Sequence, residues 1–267
     1  MNPATPHPAA TVMLVRDAPG GVEVFLMQRR AAGVFGGLHV FPGGKLDSGD
    51  AEAGWAQRST GPGDAEASRI LGVTRGGLAY WVACIRECFE EAGVLLADEG
   101  ADALLEWRGA AQRARFADWR ARLNGREPGV FRNMCEAEGL RLATQRLAYV
   151  AHWITPQDQK SRFSTRFFVA RAPAAQSAIH DGRETVGSRW MRPEDALAGF
   201  RRGELALISP TFRNLEAICG YPSADALLED KRRLPRATGQ AIRPRAAPGG
   251  AWVDEVIAVD ENGREVG

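Results

Sequence analysis

The sequence of 267 residues lacks several features that would indicate particular classes of protein. It contains no run of about 18 apolar residues, so no transmembrane helix is predicted and we expect no membrane partner. The formal net charge is only +1, which gives no reason to expect nucleic acid as a partner. The 4 cysteines include no C-x-x-C pair. A secreted disulfide framework is therefore disfavoured, and we expect a cytoplasmic protein.

The composition is that of an ordinary globular protein, with 45% hydrophobic and 25% charged residues. Strand-like runs and amphipathic helical segments alternate irregularly along the chain, which predicts a mixed α/β fold with a mixed or antiparallel sheet. The clearest strand-like runs are 11–17, 21–29, 147–155, 162–172 and 185–191. The clearest helical segments are 78–96, 103–123, 130–139, 192–204 and 209–221.

The helix predicted over 78–96 separates its apolar and acidic residues onto two sides. Glu87, Glu90 and Glu91 share one side, and repulsion between like charges at this spacing opposes folding. Oxygen ligands on a rigid helix suit Mg²⁺ or Mn²⁺, which would compensate that repulsion. The alternative is a solvated acidic face on a surface helix. The opposite side carries Trp81, Cys84, Ile85, Cys88, Phe89 and Ala92.

Two neighbouring sequence features favour the metal site over the solvated face. Arg86 precedes Glu90 by four residues, so the two side chains can form an ion pair. Upstream, the segment HVFPGGKLDSGD places a tight turn with Gly43 and Gly44 after a short strand. Glycines in such a turn let the backbone approach a metal or a phosphate closely.

These residues resemble the Nudix box, G-x5-E-x7-R-E-U-x-E-E-x-G-U, in which U is aliphatic. The match begins at Gly44 and continues in the segment RECFEEAGV, which starts at Arg86. It departs from the pattern in two ways. Asp50 stands where the family has its first glutamate, and the spacer between Asp50 and Arg86 is much longer than seven residues.

The interruption itself is typical of one branch of the family. The segments HVFPGGKLD, ACIRECFEEAGVLL, HWITP and RFSTRFF are similar to the peroxisomal acyl-coenzyme A diphosphatase branch and its bacterial relatives. This resemblance, over roughly residues 10–220, implies a Nudix α/β/α sandwich with a mixed sheet and helical insertions within and after the box. We therefore predict an arm over 1–10, a Nudix domain over 11–221 and a C-terminal extension over 222–267, packed on or trailing the domain.

The resemblance implies roles for the acidic helix. Glu87, Glu90 and Glu91 would hold one or more divalent ions, with the carbonyl of Gly43 as an extra ligand. The ions would neutralise a diphosphate and activate a water molecule for in-line attack. Arg86 would orient the carboxylates.

Other residues are candidates for the general base and for substrate binding. The general base is either Glu87 or a loop carboxylate after the box, Asp181 or Glu184. The predicted substrate-binding residues are Arg29, Lys45, Gly44, Arg162 and Arg166. Cations suit a diphosphate, although solvated surface charges are the alternative. Arg162 and Arg166 are expected on one face of a strand, since their spacing has period two.

The sequence thus predicts a Mg²⁺- or Mn²⁺-dependent Nudix pyrophosphohydrolase with a small-molecule diphosphate substrate. Coenzyme A or acyl-coenzyme A is the leading substrate, from the resemblance to one branch. A hydrolase of ADP-ribose, NADH or nucleotide sugars and a non-catalytic nucleotide sensor are the alternatives. The insertions over 51–79 and 98–146 are assigned to pocket walls or to the contact of a homodimer.

Overall fold

The computed structural model describes residues 4–31, 36–99, 103–233, 239–246, 252–260 and 265–266. Most strands within these ranges belong to one sheet. The strands are β1 His7–Ala18, β2 Gly21–Arg29, β3 His39–Val40, β4 Gly43–Lys45, β5 Ala97–Asp98, β6 Arg141–Leu142, β7 Leu147–Ile154, β8 Phe163–Arg171, β9 Thr185–Met191, β10 Gln240–Ala246 and β11 Trp252–Ala258.

The main sheet is mixed, as the sequence predicts. Its strand order is β11-β10-β7-β8-β1-β2-β3, while β4 pairs with β1 and β9 pairs with β2. The pairs β1–β8 and β7–β10 are parallel and the other pairs are antiparallel. The first half of β1 pairs with β4 and the second half with β2, so Gly43 and Gly44 lie against the middle of the sheet. The tight turn predicted at these two glycines is wrong, because both belong to the ladder of β4 with β1.

Helices cover both faces of this sheet. The α-helices are α1 Asp64–Leu71, α2 Leu78–Ala92, α3 Gly109–Asn124, α4 Val130–Ala137, α5 Pro193–Arg201, α6 Ser209–Glu216 and α7 Ala224–Arg233. Alternate residues of β1 enter different cores, because successive side chains of a strand point to opposite faces. Val12 packs with α2, and Met13 packs with α5, α6 and α7. This layering is the α/β sandwich that the sequence predicts.

The structure corrects one boundary of the predicted organisation and decides between two alternatives at another. Residues 7–10 do not form a loose arm, because they begin β1 and pair with both β8 and β4. Of the two predicted arrangements of the C-terminal extension, its described residues show the one in which it packs on the domain. Helix α7 places Leu227 and Leu228 in the core, and Ile242 of β10 pairs with Trp153 at the edge of β7. Both segments are rich in proline or arginine, so the sequence gives little indication that they belong to the sheet and the core.

The insertions contain short helices. The first, over 51–79, contains α1, whose weak periodicity gives little signal in the sequence. The second, over 98–146, contains α3 and α4, and α3 begins at Gly109 rather than at residue 103. Within the part of the chain that the structure describes, no helix is both long enough and apolar enough to cross a membrane.

Candidate active site

Helix α2 carries the candidate active site at its C-terminal half. Its apolar residues Trp81, Ile85 and Phe89 lie in the core, as their spacing predicts. The helix ends at Gly93, whose φ of 69° lies in the left-handed region that glycine tolerates best. A methyl group there would lie only 2.8 Å from the guanidinium of Arg120. Gly93 is therefore favoured by the backbone, and a larger residue would also displace the guanidinium of Arg120.

Arg86 of α2 is buried, and its guanidinium donates hydrogen bonds to three carboxylates and one backbone carbonyl. Its Nε and Nη2 donate to the two carboxylate oxygens of Asp50 at 2.8 and 2.9 Å. Its Nη1 donates to Glu87 at 2.9 Å and to Glu90 at 3.2 Å, which confirms the predicted pair at i and i+4. Its Nη2 also donates to the carbonyl of Lys45 at 2.9 Å. Arg86 therefore positions the carboxylates around it.

The structure brings the two halves of the interrupted motif together. Asp50 lies in a 3-10 turn over Ser48–Ala51 and is only 2% exposed. Trp55 supports this turn, because its indole N–H donates to the carbonyl of Gly49 at 2.8 Å. Asp50 thus reaches Arg86 in spite of the long spacer between them.

The two glycines of β4 lie directly against the glutamates. The N–H of Gly43 donates to the carboxylate of Glu91 at 2.8 Å. A Cβ atom on Gly44 would lie 2.5 Å from Oε1 of Glu87, so a larger residue would displace that carboxylate. Strand β4 is thus next to two of the three glutamates. That the Gly43 carbonyl binds a metal stays a prediction.

The negative charges of the glutamates are only partly compensated by positive charges of the protein. Burial raises the pKa of Glu87 to about 7, and repulsion from Glu90 adds to the effect against the attraction of Arg86. Burial and the charge of Glu87 raise the pKa of Glu91 well above its ordinary value. Burial lowers the pKa of Arg86, but its bonds with Asp50 and the glutamates outweigh burial and raise it overall. Arg86 is therefore a permanent cation among carboxylates that resist ionisation.

The carboxylate oxygens of the three glutamates are the kind of ligand that a hard divalent cation prefers. Buried carboxylates with raised pKa values gain most from a nearby positive charge, and all the donors are oxygens. Across the described residues, no three Asp, Glu, His or Cys side chains converge as a ready-made metal site. Glu87 and Glu90 are turned toward Arg86, and Glu91 toward Gly43.

A cavity of about 1610 Å³ opens over these residues. It is larger than typical small-molecule pockets of roughly 300–1,000 Å³. Its lining includes ten of the predicted site residues, namely Arg29, Gly43, Gly44, Lys45, Arg86, Glu87, Glu90, Glu91, Asp181 and Glu184. The second insertion supplies part of its wall, from Leu123 to Arg132, as one of the two assignments for the insertions predicts. A homodimer contact stays a prediction.

Arg162 and Arg166 do not reach the cavity, which corrects their assignment to the substrate. Arg162 donates to the carbonyl oxygens of Thr155 and Ala4. Arg166 is 2% exposed, donates to Ser164 at 3.3 Å and lies over the ring of Tyr80. The face of β8 predicted to bind the substrate is therefore wrong. The cavity is lined by the alternate positions Phe163, Thr165 and Phe167.

The two loop carboxylates differ in their surroundings. Asp181 accepts hydrogen bonds from the N–H groups of Arg183 and Glu184 and from the hydroxyl of Thr185. Burial raises the pKa of Asp181, but these bonds outweigh it and lower the pKa overall, so this side chain organises the loop. Glu184 is exposed on the cavity wall, 3.4 Å from Arg29. Its role as a base stays a prediction.

Sequence reasoning missed Arg120, which lies on α3. Its guanidinium donates to the carbonyl oxygens of Glu90 and Glu91 at 3.0 and 2.7 Å. It also donates to the carbonyl of Ile179, which precedes the loop with Glu184. A cation at a helix C-terminus satisfies carbonyls that lack helical partners. The many arginines of α3 gave no signal to distinguish this one.

Comparisons with known proteins agree with this geometry. A family model described as the NUDT19 Nudix domain matches residues 64–218. The chain belongs to the Nudix family. A crystal structure of a Nudix hydrolase from Alicyclobacillus acidocaldarius matches with a TM-score of 0.69 at 26% identity, covering 84% of this chain and 96% of that chain. The predicted Nudix fold is confirmed.

Two curated proteins named acyl-coenzyme A diphosphatase NUDT19 are also similar to this Nudix protein. The protein from Gallus gallus is 28% identical over 278 residues, covering 85% of this chain and 72% of that protein. The protein from Homo sapiens is 27% identical over 237 residues, covering 78% and 63%. The chain thus matches about two thirds of the length of these relatives. The predicted enzyme class, a Nudix hydrolase acting on diphosphate bonds, is confirmed.

Proposed function

We propose that this Nudix hydrolase cleaves the diphosphate of coenzyme A or acyl-coenzyme A in a reaction that depends on Mg²⁺ or Mn²⁺. The products would be 3′,5′-ADP and 4′-phosphopantetheine or its acyl derivative. The observation that carries the proposal is the cluster of buried carboxylates around Arg86, which faces the two glycines of β4 inside a large cavity.

The choice of substrate is supported by the relatives and by the cavity. The relatives from chicken and human carry the name acyl-coenzyme A diphosphatase, at 28% and 27% identity. Acyl-coenzyme A is a long molecule, and a cavity of about 1610 Å³ has room for it. Arg29 and Lys45 line the same cavity and supply positive charge for the diphosphate.

Glu87, Glu90 and Glu91 are the residues that would hold the divalent ion. When bound, such an ion supplies positive charge to the diphosphate oxygens and lowers the pKa of water. Arg86 keeps Glu87 and Glu90 in place through hydrogen bonds of 2.9 and 3.2 Å. The N–H of Gly43 fixes Glu91 in the same way. The protein thus contributes mainly positioning and electrostatics, as phosphoryl transfer requires.

Two carboxylates are candidates for accepting the proton of the attacking water. Glu87 is one of them, because it is buried among the carboxylates that would hold the ion. Glu184 is exposed on the cavity wall, 3.4 Å from Arg29 and 3.9 Å from Arg126. Glu184→Gln separates them, because it leaves the carboxylates beside Arg86 intact. A loss of turnover with an unchanged dependence on Mg²⁺ concentration would assign the base to Glu184.

The proposal is tested by incubating the full chain with coenzyme A and resolving the products by chromatography. We expect 3′,5′-ADP and 4′-phosphopantetheine in the presence of Mg²⁺ or Mn²⁺, and no turnover with a chelator. Parallel reactions contain ADP-ribose, NADH and a nucleotide sugar. AMP from ADP-ribose without cleavage of coenzyme A would assign the other substrate class. Binding of these compounds without any cleavage would indicate a sensor.

A further inference from the structure

The connection between α3 and α4 contains a backbone conformation that its residue type does not favour. Among the residues that the structure describes, Arg126 is the single non-glycine residue with a positive φ, of 59°. It follows Gly125 at the end of α3, in the second insertion. The left-handed conformation is unfavourable for a residue with a Cβ atom, which comes too close to the following carbonyl oxygen. Glycine would occupy this position at lower cost.

Two hydrogen bonds at the end of α3 hold Arg126 in this conformation. The N–H of Arg126 donates to the carbonyl of Leu123 at 2.8 Å. The N–H of Glu127 donates to the carbonyl of Arg122 at 3.3 Å. Together they form the Schellman motif, in which the position of Arg126 usually belongs to glycine. Strained residues of this kind are concentrated at active sites and ligand-binding segments, so the side chain of Arg126 is a candidate for a function.

The side chain of Arg126 lies on the wall of the cavity, where it is 86% exposed. Its Nη2 atom lies 3.9 Å from Oε1 of Glu184, and Nη2 of Arg29 lies 3.4 Å from Oε2 of the same carboxylate. One guanidinium is therefore next to each oxygen of Glu184. Burial raises the pKa of Glu90, and the positive charges of Arg86 and Arg126 oppose that rise. Arg126 is thus close to the acidic side of α2 as well.

Arg126 differs from other arginines of the cavity wall in how it is held. Arg132 donates to Glu136 at 2.7 Å, and Arg213 donates to Glu216 at 2.9 Å. The 3.9 Å that separates Arg126 from Glu184 is longer than a hydrogen bond. The N–H groups of its guanidinium therefore stay available to an anion that enters the cavity.

We propose that Arg126 binds the diphosphate of the substrate, as a cation that the second insertion adds to the site on α2. This inference rests on the proposed function only in placing a diphosphate beside Glu90. A guanidinium donates two parallel hydrogen bonds to phosphate oxygens, which fixes the orientation of the group as well as its charge. The same contact neutralises charge that spreads over the phosphoryl oxygens in the transition state. Arg126 and Arg29 would then leave Glu184 and contact the substrate.

Arg126→Gly removes the guanidinium and suits the backbone. The melting temperature should be equal to or above the normal value, because glycine adopts the left-handed conformation without strain. We expect kcat/KM for coenzyme A to fall about tenfold or more, since hydrogen bonds to a charged group are lost. Arg126→Lys keeps the charge and the strain but not the fork, so it should lose less. Normal kcat/KM in Arg126→Gly would overturn the proposal.

Arg113→Ala is the matched control, because it removes an exposed positive charge from α3 outside the cavity wall. Its kcat/KM should stay within about twofold of normal, as for a surface charge far from the substrate. An equal loss in Arg113→Ala and Arg126→Gly would mean that the net charge of the helix matters and that Arg126 makes no specific contact.

Two further measurements identify the group that Arg126 contacts. 3′-Dephospho-coenzyme A has the diphosphate but lacks the separate 3′-phosphate, so Arg126→Gly should lower kcat/KM for both substrates by the same factor. A loss confined to coenzyme A would overturn the diphosphate assignment in favour of the 3′-phosphate. The Mg²⁺ concentration for half-maximal turnover should stay unchanged in Arg126→Gly. A shift in that concentration would mean that Arg126 acts through Glu90 and not on the substrate.

The failure of this inference is distinct from the failure of the proposed function. Cleavage of ADP-ribose without cleavage of coenzyme A would overturn the proposed substrate. ADP-ribose also contains a diphosphate, so Arg126→Gly should then lower kcat/KM for ADP-ribose about tenfold or more. Normal cleavage by Arg126→Gly of whichever substrate the unmodified protein hydrolyses would overturn the role of Arg126 alone.

Discussion

Arg86 and Asp50 form a two-pronged ion pair across 36 residues of sequence, with hydrogen bonds of 2.8 and 2.9 Å. Both side chains are almost fully buried, at 7% and 1% exposure. The fork of a guanidinium matches the two oxygens of a carboxylate. The pair fixes the turn containing Asp50 against α2, and Arg86 in turn positions Glu87 and Glu90.

Asp50→Ala is expected to destabilise the protein by about 3–5 kcal/mol, because removal of one partner leaves a buried charge uncompensated. Asp50→Glu should lose much less, since it keeps the charge. Urea denaturation measures both. The control is Glu204→Ala, which removes an exposed ion pair with Arg202 and should leave the midpoint unchanged. Equal midpoints for Asp50→Ala and the unmodified protein would contradict the structural role of the pair.

Glu90→Gln tests the metal assignment. The change removes one negative charge from the half-buried side of α2 and leaves the shape of the side chain unchanged. We expect turnover with Mg²⁺ to fall about a hundredfold or more, with little change in thermal unfolding. Glu127→Gln is a matched control, because Glu127 also lines the cavity but pairs with Arg122 away from α2. Normal turnover in Glu90→Gln would show that Glu90 holds no catalytic metal.

Gly44→Ala tests the close approach between β4 and α2. The added methyl group would lie 2.5 Å from Glu87, so the carboxylate must move. We expect a loss of activity of about tenfold or more, because displacement of a positioned group weakens catalysis. Gly63→Ala is the control, since a Cβ atom at Gly63 has no neighbour within 4 Å. Unchanged kinetics in Gly44→Ala would show that the position of Glu87 is unimportant.

The raised pKa values of the glutamates predict how stability depends on pH. Glu87 has a pKa of about 7 in the folded protein and an ordinary value near 4.5 when unfolded. Between these values the folded state binds more protons than the unfolded state. The metal-free protein should therefore lose stability as pH rises through this window. Burial raises the pKa of Glu91 as well, which acts in the same direction.

Melting temperatures with and without Mg²⁺ measure this effect. The stabilisation by Mg²⁺ should increase from pH 5.5 to pH 8, since only ionised carboxylates bind the ion. Glu87→Gln should raise the melting temperature of the metal-free protein at pH 8 by several degrees, at about 2–4 °C per kcal/mol for a domain of this size. A melting temperature that falls in this variant would mean that ionised Glu87 stabilises the metal-free fold.

The sequence predicts the helix of the site better than its surroundings. Periodicity and the family motif place Glu87, Glu90 and Arg86 correctly, because both depend on spacing within one helix. The face of β8 used by the cavity could not be predicted in this way. A shift by one residue exchanges the two faces of a strand, so Arg166 and Thr165 were equivalent candidates until the pairing with β1 was known.

Contacts between distant segments also escaped prediction. Residues 7–10 read as an arm because Pro8 and the alanines carry little strand signal, yet β4 and β8 flank them. Helix α7 is mostly charged, and only Leu227, Leu228 and a few small residues attach it to the core. Such elements are stabilised by tertiary packing rather than by local preference, which a single sequence does not report.

Arg120 gives the second insertion a structural role in addition to lining the cavity. The helix that carries it joins the end of α2 to the backbone just before the loop of Glu184. Deletion of this insertion would leave the last carbonyls of α2 without the guanidinium that donates to them in place of the missing helical N–H groups. The end of the acidic helix and the backbone before Glu184 would then lose the side chain that holds them together.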